Sequence, residues 1–102
     1  PMSSKAPRLE KYIVQDIMRA LKKRPHSFTY KTHGSGYQHW GIPDILHWER
    51  GKAFAFEVKR PGKDSTRRQK YTQDVMRQAG VIVAQVTCVE EVLSIIAKEF
   101  DS

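Results

Sequence analysis

Two apolar strands separated by one helix constrain the fold of this chain most strongly. Residues alternate between two faces from Ala53 to Lys59, which predicts a strand. Val81 to Val86 is a nearly continuous apolar run, typical of a strand covered on both faces. Between them, Thr66 and Gln69 match a capping box, which predicts a helix that runs to about Ala79. A strand–helix–strand unit of this kind predicts parallel strands joined by a right-handed crossover.

The rest of the chain supplies two more helices and two more strands. Apolar residues recur at helical spacing from Leu9 to Leu21. The segment ERGK, Glu49–Lys52, is a predicted turn that joins the strands on either side in a hairpin, and Thr87 with Glu90 matches a second capping box. The additional strands are predicted over Ser27–Thr32 and Asp44–Trp48. The order helix, three strands, helix, strand, helix predicts an α/β fold with a small mixed β-sheet of about four strands flanked by helices.

Length and charge narrow the functional classes. The chain has 102 residues, enough for one compact domain and too few for two. It carries 18 Lys and Arg against 11 Asp and Glu, a net charge of +7. Nucleic acid is the leading partner for a small basic domain, ahead of a surface that is merely basic. No stretch approaches the roughly 20 apolar residues of a membrane span, so no membrane partner is expected.

The N-terminus and the cysteine content indicate an intracellular protein. The segment before Leu9 lacks the apolar core of a signal peptide. A proline precedes its methionine, and residues 1–8 are expected to be a disordered or vector-derived N-terminus. The single cysteine, Cys88, excludes an internal disulfide and fits a reducing compartment. We interpret Cys88 as a small apolar residue and not as a nucleophile.

An acid and a base lie two residues apart at the end of the alternating strand. Glu57 and Lys59 share a face, and the predicted hairpin brings Asp44 beside Glu57. Two close carboxylates repel unless a cation lies between them, and hard oxygen ligands suit Mg²⁺ or Mn²⁺. The backbone carbonyl of Val58 is a candidate further ligand, and Lys59 is placed to contact an attacking water or a phosphate. Two simpler interpretations stay open: Glu57 and Lys59 as a salt bridge on a solvated face, and Asp44 as a turn residue after proline.

Cations cluster in the sequence around this acid and base. Cations at the start of a helix oppose its dipole, so a merely solvated helix start does not explain Arg67 and Arg68. Contact with a phosphate backbone does explain them, and it predicts binding that depends strongly on salt. The cations assigned to this role are Lys59, Arg60, Lys63, Arg67, Arg68 and Lys70.

A glycine-rich loop precedes Asp44 and allows its backbone to approach a phosphate closely. His33 and Gln38 in this loop are candidate DNA contacts. Tyr37 and Trp40 are interpreted either as stacking on an exposed base or as packing in a dimer. We interpret three histidines as surface or hydrogen-bonding residues, because they lack the spacing of a zinc site: His33, His39 and His47.

Three segments carry these features in a characteristic order: GIPDIL, FEVKRPG after the hairpin turn, and RRQKYTQDVMRQAGVIVAQV. Together they resemble the virus-type replication-repair nuclease family (VRR-NUC) of the PD-(D/E)xK nuclease superfamily. The resemblance implies a restriction-endonuclease-like core in which Asp44 and Glu57 are metal ligands and Lys59 is the catalytic lysine. It also implies that Glu10 borders the metal site and that Gln69 belongs to the motif on the following helix. The alternatives are an acid favoured by the helix dipole for Glu10 and a helix cap for Gln69.

The resemblance also implies an activity and an assembly. Free-standing viral and bacterial members of the family are homodimers that cut branched DNA such as four-way (Holliday) junctions. Residues 9–102 are therefore expected to form a single nuclease domain of this kind, in the cytoplasm of a bacterium or a phage-infected host. The implied function is a metal-dependent, structure-selective DNA endonuclease that uses Mg²⁺ or Mn²⁺. A preference for flaps or other DNA structures and a non-catalytic DNA-binding module are the alternatives.

Overall fold

The computed structural model describes residues 8–32 and 41–101. The predicted order of helices and strands is confirmed there, and most predicted bounds differ from the observed ones by one residue. No helix in these ranges is long and apolar enough to span a bilayer. The elements are α1 (Glu10–Leu21), β1 (Ser27–Lys31), β2 (Ile45–Glu49), β3 (Lys52–Val58), α2 (Arg67–Gln78), β4 (Ile82–Val86) and α3 (Val89–Phe100).

The four strands form one mixed sheet in the order β1-β2-β3-β4. β1 pairs with β2 in antiparallel fashion. β2 also pairs with β3 in antiparallel fashion, as the short connection at Arg50 and Gly51 requires. β3 pairs with β4 in parallel fashion, and α2 provides the connection between them. The predicted hairpin, parallel pair and mixed sheet are therefore confirmed.

The two faces of the sheet are covered by different helices. α1 and α3 place their apolar stripes on one face, where Ile17 and Leu21 are fully buried. Full burial of a side chain of this size contributes about 2 kcal/mol to folding. On the opposite face α2 contacts β4, and its only buried residue in the described chain is the polar Gln73. The core therefore lies on the α1–α3 face, while the α2 face carries polar groups between helix and sheet.

Two local predictions are wrong. Glu49, predicted to lie in the turn after the second strand, is the last residue of β2 and is 1% exposed. Its alternation with His47 directs it to the buried face of the sheet. The N-cap of α3 is Cys88, one residue after the predicted Thr87. The Thr87 N–H and hydroxyl both donate to the carboxylate of Glu91, at 2.6 and 3.2 Å, so Glu91 takes the place predicted for Glu90.

Candidate active site

The β2–β3 register brings two carboxylates together at one end of the sheet. Ile45 pairs with Phe56, so Asp44, one residue before β2, lies opposite Glu57. Asp44 Oδ2 accepts a 2.7 Å hydrogen bond from the backbone N–H of Val58, which fixes the Asp44 carboxylate against β3. The carboxyl groups of Asp44 and Glu57 are close enough to share a hydrogen bond. Asp44 is therefore part of a carboxylate pair, whatever its additional role in the turn.

The electrostatic environment of Glu57 disfavours its charged form. The pKa of the Glu57 carboxyl is raised to about 8, mainly by burial and next by the charge of Asp44. Lys59 acts in the opposite direction, and the charge of Glu10 adds a smaller increase. Glu57 is 2% exposed, and its Oε1 has no hydrogen-bond partner among the described residues. Ionisation of Glu57 is therefore unfavourable, and a cation beside Oε1 would offset its cost.

Lys59 supplies only part of that compensation. Its Nζ lies 3.9 Å from Glu57 Oε2, a long ion pair that leaves the ammonium group without close hydrogen-bond contact to the carboxylate. The side chains of Lys59 and Glu57 are only 12% and 3% exposed, which excludes a salt bridge on a solvated face. The Lys59 backbone N–H donates to Val86 at 2.9 Å, so the base of this side chain is held by β4.

Gln69 joins α2 to the carboxylate pair. Its Nε2 donates to Glu57 Oε2 at 3.3 Å, while its Oε1 accepts from the backbone N–H of Thr66 at 2.8 Å. Cap and site were alternative interpretations from the sequence, but the structure shows both contacts in one side chain. The reason is geometric, because the third helical residue is the one whose side chain can reach both the cap and the adjacent strand.

Glu10 lies at the border of the site, at the first position of α1. Its Oε2 is 3.5 Å from the backbone nitrogen of Arg60, a contact at the limit of hydrogen bonding. Among the described residues, Arg60 Nε is buried without a hydrogen-bond partner. Val58 is fully buried between Glu57 and Lys59 in the sequence, and the ligand role of its carbonyl stays a prediction.

The predicted phosphate contacts surround the start of α2. Lys63, Arg67 and Arg68 are exposed, whereas Arg60 is half-buried. Lys70 is also exposed, but it pairs with Asp64 at 2.8 Å. This contact and the backbone N–H of Ser65 lower the pKa of the Asp64 carboxyl. The loop predictions lie outside the described residues, and they concern His33, Tyr37, Gln38, His39 and Trp40.

The donor chemistry fits a hard divalent cation. Within residues 8–32 and 41–101, no three His, Cys, Asp or Glu side chains are grouped closely enough to form a protein-only metal site. Asp44 and Glu57 form a pair of adjacent carboxylates, and Mg²⁺ typically keeps several waters and takes only one or two carboxylates from the protein. Glu57 Oε1 is buried without a hydrogen-bond partner among the described residues, and such an ion would offset the free-energy cost of burying it in ionised form. The residues present therefore fit Mg²⁺ or Mn²⁺.

A second buried polar cluster was not predicted from the sequence. Arg24 Nε and Nη2 donate to the two Glu49 oxygens at 2.7 and 3.0 Å. Glu49 Oε1 also lies 2.9 Å from His47 Nε2, and His47 Nδ1 lies 2.8 Å from the Thr29 hydroxyl. His47 is fully buried, so it is a hydrogen-bonding histidine and not a surface one. The alternation of Ile45, His47 and Glu49 was the available signal, because it places all three on one face.

Comparisons with known proteins address the fold. No family model matches the chain, and no curated protein sequence matches it. A solved structure described as "VRR_NUC domain" has a TM-score of 0.68 to this chain at 20% sequence identity. The match covers 91% of this chain and 97% of the other. The resemblance found in the sequence is thus confirmed in three dimensions: the chain has the fold of a VRR_NUC domain.

Proposed function

We propose that this chain is a metal-dependent endonuclease that hydrolyses phosphodiester bonds in DNA. The observation that carries the proposal is the pairing of half-buried Asp44 with buried Glu57, whose Oε1 has no hydrogen-bond partner among the described residues, with Lys59 beside it. A carboxylate pair left incomplete in this way lowers stability unless a cation completes it. Perturbed carboxylates beside a basic surface are typical of functional sites. The fold shared with a structure described as a VRR_NUC domain supports the same reaction class.

Each residue has a distinct part in this proposal. Asp44 and Glu57 hold the divalent cation, with Glu10 at the border of the site and the Val58 carbonyl as a further candidate ligand. The chemistry that Mg²⁺ or Mn²⁺ supplies when bound is activation of water and neutralisation of charge on the phosphate. Lys59 donates from Nζ toward the scissile phosphate or the attacking water, because its long ion pair leaves that donor available. Gln69 holds Glu57 in place through its carboxamide.

DNA binds across the start of α2 in this proposal. Arg60, Lys63, Arg67, Arg68 and Lys70 contact phosphates, which gives affinity without base specificity. The net charge of +7 supports this assignment. We further propose that the substrate is branched DNA and that the chain acts as a homodimer, because two sites related by a two-fold axis can nick both strands of a symmetric junction.

A cleavage panel tests the proposal most directly. Four-way junction, flap, nicked and linear duplex DNA are incubated with the protein in Mg²⁺, in Mn²⁺ and in chelator, while sedimentation measures its oligomeric state. Lys59→Ala is expected to reduce cleavage about 100-fold or more, since it removes the donor aimed at developing charge. DNA affinity should change little. Lys98→Ala removes one exposed cation from the last turn of α3 and serves as the matched control.

The outcomes separate the parts of the proposal. Binding to all DNAs without metal-dependent cutting by the unmutated protein contradicts the nuclease assignment and favours a DNA-binding module. Equal cutting of linear duplex and junction contradicts structure selectivity and leaves the nuclease assignment intact. A monomer that cuts junctions efficiently contradicts the two-site dimer.

A further inference from the structure

Thr66, the N-cap of α2, bonds through its hydroxyl and its backbone N–H to Gln69, and Gln69 in turn contacts the candidate metal ligand Glu57. Thr66 Oγ1 accepts from the Gln69 backbone N–H at 3.1 Å, and the Thr66 backbone N–H donates to Gln69 Oε1 at 2.8 Å. These reciprocal bonds form a complete capping box. They hold both the backbone and the carboxamide of Gln69.

The capping box decides which end of the Gln69 carboxamide faces Glu57. A backbone N–H can only donate, so the atom facing Thr66 must be the Gln69 oxygen. The Gln69 NH₂ group is then directed away from the cap, and it lies 3.3 Å from Glu57 Oε2. A flipped carboxamide would place its oxygen against a carboxylate and its NH₂ against another donor. The cap therefore selects the orientation that stabilises Glu57.

The segment that carries Thr66 is itself anchored to the sheet. The hydroxyl of Ser65, one residue earlier, donates to Gln85 Oε1 at 2.6 Å and accepts from Gln73 Nε2 at 3.0 Å. Gln85 Nε2 donates to the carbonyl of Lys63 at 3.1 Å, and Gln85 pairs with Glu57 across β3 and β4. The start of α2 is consequently held at a set distance from the strand that carries Glu57.

We propose that Thr66 is a positioning residue of the candidate site. Its capping box orients Gln69, and Gln69 and Lys59 both lie beside Glu57 Oε2. Glu57 Oε1 is thereby left as the oxygen that would be available to a cation. The consequence for cleavage rests on the proposed nuclease function. The orientation of Gln69 does not depend on that function and is measured separately.

Three substitutions of Thr66 keep, partly remove or fully remove its two capping-box hydrogen bonds. Thr66→Ser keeps both bonds, and Thr66→Val removes the hydroxyl but keeps the backbone donor. Thr66→Pro removes both groups while tolerating the local backbone, since the φ of Thr66 is −69° and proline requires about −65°. Each is also made with Gln69→Ala, which removes the group through which Thr66 acts. Thr87→Val removes a threonine hydroxyl that donates to Glu91 beside the start of α3, and it controls for loss of a hydroxyl hydrogen bond at another helix start.

The first measurement uses the metal-free protein. Side-chain amide resonances of Gln69 in a ¹⁵N-correlated NMR spectrum report the hydrogen bonds of its carboxamide. Thr66→Pro should move them toward the values of a solvated glutamine, while Thr66→Ser and Thr87→Val should leave them in place. Unchanged Gln69 resonances in Thr66→Pro overturn the proposal. If the proline variant fails to fold, Thr66→Val decides: it removes the hydroxyl that accepts from the Gln69 backbone N–H, so unchanged backbone and side-chain amide resonances of Gln69 overturn the proposal.

The second measurement is the affinity for Mn²⁺ alone, by titration calorimetry. Loss of an outer hydrogen-bonding partner typically weakens metal binding about 10-fold or more, which we expect for Thr66→Pro, with Thr66→Ser within about twofold of the unmutated protein. In the Gln69→Ala background, Thr66→Pro should have no further effect. An equal loss in both backgrounds overturns the proposal, because it shows a general loosening of the helix. In cleavage assays kcat should fall while KM for DNA is unchanged.

Failure of the two proposals is distinguishable. A protein that neither binds Mn²⁺ nor cuts DNA contradicts the proposed function, and the NMR comparison still decides whether Thr66 positions Gln69. A protein that binds Mn²⁺ and cuts DNA, but whose Thr66→Pro variant binds the ion normally, contradicts only the positioning role.

Discussion

Two glutamates in neighbouring strands, Glu49 and Glu57, are buried to nearly the same degree and are stabilised in opposite ways. They are 1% and 2% exposed. Burial alone raises the pKa of a carboxyl, but at Glu49 the hydrogen bonds from Arg24 and His47 outweigh burial, and the pKa of Glu49 is lowered. At Glu57 burial and the neighbouring Asp44 act in the same direction and raise the pKa to about 8.

The difference separates a structural charge from a functional one. Both Glu49 oxygens accept hydrogen bonds from the guanidinium of Arg24, so that carboxylate is complete within the protein. Glu57 has one oxygen without a partner among the described residues and a lysine only at 3.9 Å. Ionising this buried carboxyl is costly, as its raised pKa indicates, and the stability of the fold does not account for an acid at this position. A role that completes it from outside the chain does account for it.

The largest expected effect comes from breaking the complete pair. Arg24→Ala leaves the buried Glu49 without its main partner, and we expect a loss of about 3 kcal/mol in the free energy of unfolding. Urea denaturation measures this loss. Arg19→Ala is the control, since Arg19 pairs with Asp16 at an exposed position where an ion pair contributes about 0.5 kcal/mol. Equal, small losses in the two variants would show that the Arg24–Glu49 pair is not structural.

The same substitution at the two glutamates should have opposite effects. Glu49→Gln replaces an acceptor by a donor facing Arg24, and a loss of about 2 kcal/mol is expected. Glu57→Gln removes the repulsion with Asp44, so the metal-free variant should be about 1 kcal/mol more stable than the unmutated protein at pH 8.5. Its cleavage activity should be lost. Destabilisation by both substitutions, measured by urea denaturation in chelator, would contradict the distinction between the two sites.

The two carboxyls also predict opposite dependences on pH. The folded state holds the Glu57 proton more tightly than the unfolded state, so the stability of the metal-free protein should fall as the pH rises from about 4.5 to about 8, and level off above that. One such proton changes the stability by at most about 1.4 kcal/mol per pH unit. The pKa of Glu49 is lowered instead, so its contribution is complete above its unfolded pKa and is lost as the pH falls through the folded one.

Thermal unfolding in chelator between pH 5.5 and 8.5 tests the Glu57 dependence. The melting temperature of the unmutated protein should decrease across this range, and Glu57→Gln should remove most of the decrease. Mn²⁺ should restore the melting temperature at the alkaline end, because it binds the ionised carboxylates of the folded state. A melting temperature that is the same in both proteins at every pH would contradict the raised pKa.

The comparison of the two glutamates also shows what the sequence can predict. Alternation in β3 and a tight turn before it place Asp44 opposite Glu57, because hairpin register follows from local pattern. The partner of Glu49 is not accessible in this way, since Arg24 lies in a different part of the chain after α1. Its bond to Glu49 depends on how α1 meets β2. The double role of Gln69 was missed for a related reason: the capping box is local, but the distance from α2 to β3 is set by packing.

The smallest expected effect is a difference in the free energy of unfolding between the alanine variants of two glycines with positive φ. Gly41 and Gly62 have φ of +77° and +86°, so an alanine at either position is strained by about 1 kcal/mol. A Cβ at Gly41 would lie 2.8 Å from the Arg68 carbonyl oxygen and 3.0 Å from the Gln69 Cα, both backbone atoms. A Cβ at Gly62 would meet no described atom within 4 Å. Gly41→Ala should therefore cost about 1 kcal/mol more than Gly62→Ala.

The clash caused by Gly41→Ala lies on the side of the sheet that carries Glu57, so it should affect the surroundings of Glu57 and not those of Glu49. Gly41→Ala pushes on the first turn of α2, so it should shift the side-chain amide resonances of Gln69 and lower cleavage. The Arg24–Glu49 contact lies on the opposite face of the sheet and should be unaffected. The losses in free energy of unfolding caused by Gly41→Ala and Arg24→Ala should therefore add in the double variant. Equal cleavage and equal stability in the two glycine variants would show that the close approach of Gly41 to α2 does not hold Gln69 against Glu57.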